Sequence, residues 1–82
     1  MVTLKNVTKI DNILAADYFP EDRQNDLGHI EYNILTGKIE NIKHCEEDEK
    51  SFLKPYSHKS VLAIKEILGQ DTLPKNYTYM WY

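Results

Sequence analysis

The sequence predicts an α+β fold: a small, mainly antiparallel sheet in ββββαβ order, with one helix packed on one face. Three features point there. Residues 2–9 and 13–19 are rich in β-branched and apolar types and are separated by Asp11-Asn12, a pair suited to a tight hairpin turn. Ile30, Tyr32 and Ile34 alternate with Glu31 and Asn33, the period of a half-buried strand. S-H-K-S-V-L-A-I-K-E-I-L-G, residues 57–69, puts Val61, Ile64, Ile67 and Leu68 on one side of a helix.

Taken in order, the first hairpin places Ile10 opposite Ile13, Thr8 opposite Ala15 and Leu4 opposite Phe19. Asp17 then faces solvent or pairs with Asn6. A helix competes for the same residues, because Leu4, Val7, Ile10, Leu14 and Tyr18 recur at three- and four-residue spacing. The hairpin is preferred for its β-branched content, its turn pair and the lack of an N-cap. Pro20 ends the second strand, and P-E-D-R-Q-N-D-L-G, residues 20–28, is a polar loop.

The second hairpin turns at Thr36-Gly37 and returns through residues 38–44. Ile39 and Ile42 differ in parity, so both face the core only if a β-bulge intervenes. Residues 45–54 read as a charged connection. Ser57 or Ser60 caps the helix, Gly69 stops it, and Y-T-Y-M-W-Y, residues 77–82, reads as a last strand. Tyr77, Tyr79 and Trp81 share one face of it. They are expected to be core, the strand lying in the sheet rather than on a loose tail and Trp81 buried against the helix face of Val61, Ile64 and Leu68, or else an aromatic interaction surface.

A chain of 82 residues makes one domain, spanning 1–82, with a thin core. Its net charge is −3 and Arg23 is its one arginine, so nucleic acid and anionic membrane surfaces are disfavoured partners. No stretch nears the ~20 apolar residues of a membrane span. One cysteine, Cys45, allows no intrachain disulfide, which suits a reducing, cytoplasmic setting. The chain is expected to be a monomer or homodimer that meets a protein partner.

Chemistry is sparse. His29, His44 and Cys45, followed by the acidic run 46–49, form the one ligand-like constellation. A two-residue turn sets His29 across from His44, close enough to share a metal with Cys45 or Glu46. A longer turn pairs His29 with Lys43 or Cys45. The spacing matches no metal signature, so no metal, cofactor or catalytic residue is expected. Gly28, Gly37 and Gly69 read as turn or cap residues, not a phosphate loop.

A-D-Y-F-P-E (16–21), G-H-I-E-Y-N-I-L-T-G-K-I (28–39) and L-P-K-N-Y-T-Y-M-W-Y (73–82) together resemble a group of short uncharacterised proteins from Gram-positive bacteria and their mobile elements. The resemblance implies a standalone cytosolic protein, an accessory factor carried on a prophage or plasmid. It brings no catalytic or binding residue. The expected function is therefore a non-enzymatic protein-interaction or regulatory module. The alternative is a small ligand- or metal-binding protein using His29, His44 and Cys45.

Overall fold

A computed structural model describes residues 1–80 of the chain. The elements run β1 (Val2–Ile10), β2 (Ile13–Pro20), β3 (Gly28–Asn33), β4 (Lys38–Lys43), α1 (Glu46–Lys50), α2 (Pro55–Leu68) and β5 (Tyr77–Tyr79). The strands form one antiparallel sheet in the order β4-β3-β2-β1-β5. α2 lies on one face. The expected fold class and strand order therefore hold, with α1 as an additional short helix where a charged connection was expected.

The first hairpin turns at residues 11 and 12, with Ile10 opposite Ile13 and Thr8 opposite Ala15. Beyond that the register differs from expectation: Leu4 faces Tyr18, and Thr3 faces Phe19. The reason is a β-bulge between Lys5 and Thr8, where Asn6 takes φ 55°. A bulge inserts one extra residue and shifts the side-chain alternation. Leu4 and Val7, three residues apart, are consequently both buried in the core. The spacing that imitates a helix is the mark of this bulge.

The second hairpin repeats the device. Ile30 pairs with Ile42 and Tyr32 with Ile39, with the register shifting between them, so Ile39 and Ile42 share a face. The connecting loop is Ile34–Gly37, longer than the expected two-residue turn. Asn33 organises it, its side-chain oxygen accepting from the Leu35 and Thr36 amides at 2.9 and 3.1 Å. Gly37 closes it at φ 69°.

β5 pairs with β1 along Val2↔Tyr79, Thr3↔Thr78 and Leu4↔Tyr77. The last strand therefore joins the sheet, as expected, rather than hanging as a loose tail, and it does so at the edge beyond β1. Tyr77 and Tyr79 are half-buried against the core cluster. Trp81, whose burial was expected, lies outside the described residues.

The core sits between the sheet and α2. Val2, Leu4, Leu14, Ala16, Tyr18 and Ile30 meet Ala63, Ile64 and Ile67 there. Ser57 and Ser60 do not cap α2; both lie inside it, their hydroxyls donating to the carbonyls of Lys54 and Tyr56 at 3.1 and 2.7 Å. The helix ends at Leu68 as expected, but Gly69 there is right-handed, with no left-handed cap.

Two carboxylates supply the caps from a distance. Asp26, in the β2–β3 loop, accepts from the Glu46 and Glu47 amides at the start of α1, at 2.6 and 3.1 Å. Asp48, inside α1, accepts from the Tyr56 and Ser57 amides at the start of α2, at 2.9 and 2.7 Å. These are donors a helix cannot satisfy internally, and Pro55 at the first position has none to satisfy. Loop, α1 and α2 are thereby joined in series.

Candidate functional site

An α-helix with its side chains is about 10–12 Å across. Five strands set about 4.8 Å apart span about 19 Å between their outer axes. One helix cannot cover them all. α2 packs chiefly on β5, β1 and β2 and reaches β3 only lightly. The apolar row of the sheet therefore runs out from under the helix at β4.

There a groove of about 370 Å³ opens between β4 and α2, lined by Ile39, Ile42, His44, Leu53, Lys54, Ser57, His58 and Val61. Ile39 is 43% exposed and Leu53 78%. Phe52, in the same α1–α2 connection, is 97% exposed. Its wall carries Lys54, His44 and His58 and no carboxylate.

The candidate ligand set His29, His44 and Cys45 is not assembled. His29 pairs with Lys43, the longer-turn alternative, and its side chain stands on the open face of the sheet. His44 lies on the other side, lining the groove. Cys45 is buried in the core, where burial pushes its thiol above the ordinary range. Among the described residues, no three His, Cys, Asp or Glu side chains form a group able to hold a metal ion.

His29 is instead held by two carboxylates. Its Nδ1 lies 2.8 Å from Asp17 Oδ1 and its Nε2 3.1 Å from Glu31 Oε2. The Asp17 hydrogen bond is the main reason that its pKa is raised; partial burial opposes the shift, and Glu31 adds to it. The second oxygen of Asp17 accepts from Asn6 Nδ2 at 3.2 Å, one of the two alternatives read from the sequence. With both ring nitrogens engaged, His29 ties β2 to β3.

Asp48 was legible only as part of a solvated acidic run. It is fully buried, and besides the α2 amides it accepts from the Tyr18 hydroxyl at 2.8 Å. That hydroxyl in turn accepts from the Cys45 amide at 3.1 Å. Burial first, then Asp48, drives the Tyr18 pKa far upward, fixing the phenol as a neutral donor. His44 Nδ1 sits 3.9 Å from Asp48 Oδ2, within ion-pair range but too far for a hydrogen bond, and it has no hydrogen-bond partner among the described residues. Phe52 and Leu53 were also passed over. Their signal is two large apolar residues inside a charged connection, directly before a helix-starting Lys54-Pro55.

Tyr77 and Tyr79 face the core on the helix side, so they do not form an exposed aromatic stripe. Among the described residues, no helix is long and apolar enough to cross a membrane. No family model matches the chain, and no curated protein or solved structure does either.

Proposed function

We propose that the protein is a small, non-enzymatic protein-interaction module, acting as a regulatory or accessory factor in the cytosol. One observation carries the reading: Ile39 and Leu53 stand at solvent in a groove beside β4 that α2 does not cover, and Phe52, next to Leu53 in the chain, is exposed as well. Exposed apolar side chains gathered at one place favour burial against a partner. A core this thin has few large apolar residues to spare, which makes their position informative. The resemblance to short proteins of mobile elements supports the accessory role, and a lone buried thiol suits a reducing compartment. The alternative, ligand or metal binding through His29, His44 and Cys45, is opposed by their separation onto two faces and the core.

The test is a photo-crosslinking amino acid placed at position 53 in living host cells, with position 65 on the exposed side of α2 as the control. A discrete adduct from position 53 alone is expected. Equal adducts from both positions, or none from 53, would refute the reading.

A further inference from the structure

We infer that the groove beside β4 receives an extended, acidic and apolar segment of a partner protein, lying along the free edge of that strand. The inference rests on the interaction reading above and names its partner's chemistry.

β4 is an outer strand of the sheet, and among the described residues no strand pairs with its far side. Such an edge offers unpaired backbone groups that an extended segment can satisfy, while pockets beside it select side chains. Here the bulge puts both Ile39 and Ile42 on the groove side, and Leu53 and Val61 close it from the helix layer. That is a floor for apolar side chains.

The charges select the rest of the segment. The chain has 13 acidic and 10 basic side chains, yet the groove is lined by Lys54 and by no acid, with His44 and His58 as further polar groups. Lys38 and Lys43 stand exposed at the two ends of β4. The carboxylates nearby are Asp48, buried with Tyr18 and the α2 amides, and Glu40, exposed on β4 and accepting from the neutral Asn33 amide at 2.9 Å; Lys38, Lys43 and Lys54 outnumber that one exposed acid. Lys54 donates to the Ser51 carbonyl at 3.2 Å, a neutral acceptor that leaves its charge uncompensated.

A second copy of the chain fits poorly. An antiparallel β4–β4 pair that set Ile39 against Ile42 would also set Lys38 against Lys43, twice. Like charges directly opposite are destabilising. Lysines and a bulge are common protection against such self-pairing. Aspartate or glutamate at the same positions of a different chain turns each repulsion into attraction.

The experiment is selection of short random peptides displayed on phage against the full chain, followed by amide chemical-shift mapping of the enriched sequences. Enriched peptides should alternate apolar residues with Asp or Glu, and shifts should gather at Ile39, Ile42, Leu53 and Lys54. Lys54→Glu, and Ile39→Thr in a variant shown folded by circular dichroism, should each weaken binding by about tenfold or more. Lys65→Glu should leave it unchanged. Enrichment of basic or uncharged peptides overturns the inference, as does a dimer in sedimentation that Ile39→Thr abolishes. If shifts gather instead on the open face, at Thr3, Lys5 and Phe19, the groove assignment falls and the interaction reading stands. If nothing is enriched, both fall.

Discussion

The Tyr18 hydroxyl donates to Asp48 at 2.8 Å, and both side chains are fully buried. This one contact joins the middle of the sheet to the start of α2, because Asp48 also accepts the first two free amides of that helix. A buried carboxylate is tolerable only when its oxygens are saturated by donors. Here two backbone amides and a phenol do so.

Removing Asp48 should leave the Tyr18 hydroxyl and both amides buried without acceptors. Asp48→Ala is expected to cost about 3–5 kcal/mol. That is much of the total for a domain whose stability is about 5 kcal/mol or a little more. Asp48→Asn keeps one acceptor and should cost clearly less. Tyr18→Phe should cost about 1–3 kcal/mol, since Asp48 loses a donor and the Cys45 amide its acceptor. Urea unfolding of the single and double variants gives the coupling, and additive losses would show that the two residues act independently.

Gly28 was read as a turn residue, but it opens β3 directly opposite Tyr18. A Cβ there would lie 2.4 Å from Tyr18 Cε1 and 2.7 Å from the Lys43 carbonyl oxygen. The backbone oxygen cannot give way, and the ring is held by its hydroxyl. Gly28→Ala should destabilise by about 1–3 kcal/mol or more. Thermal melts check this, and an unchanged midpoint would mean that the ring is free to move aside.

His29 should make stability depend on pH. Its folded pKa is raised above the ordinary 6.5, chiefly by Asp17. The folded protein therefore holds the proton more tightly than the unfolded chain. The resulting stabilisation is fully present below about 6.5 and is lost as pH rises through the folded value. Partial exposure of the ring keeps the effect modest. The difference in melting temperature between the parent and His29→Gln should shrink from pH 5.5 to pH 8. A constant difference would exclude the linkage, and a proton-detected titration of the ring gives the pKa directly.

Asn6 at φ 55° occupies a conformation that Asn and Gly accept and β-branched residues resist. Asn6→Gly should stay close to the parent. Asn6→Val should cost about 1–2 kcal/mol from the backbone alone. Denaturant midpoints compare the two. Equal loss in both variants would assign the role of Asn6 to its Asp17 hydrogen bond instead.

The fold class was legible because its signals are local. Alternation from Ile30 to Tyr32, the Asp11-Asn12 turn and the apolar side of residues 61–68 each depend on neighbours in the chain, and each formed as read, though β3 ends at Asn33, one residue before Ile34. Even the bulges left a trace, as Leu4 with Val7 and Ile39 with Ile42 at a spacing of three. What the sequence could not decide was which of two meanings that spacing had at residues 4–7. The answer needed a partner strand, because a bulge exists only relative to the register it shifts.

The candidate site was hardly legible at all, for the same reason. His29 and His44 looked like partners until the β3–β4 register put them on opposite faces. Asp48 stands in a run of four acids, and only the crossing of Tyr18 beneath α1 separates it from its exposed neighbours. The groove at β4 is not written in any residue of β4. It follows from the helix lying toward β5 and β1, at the opposite edge of the sheet. Composition and periodicity determined that this chain would lay one helix on an antiparallel sheet. Only the packed arrangement decided which strand that helix would leave bare, because a single helix is too narrow to cover five strands.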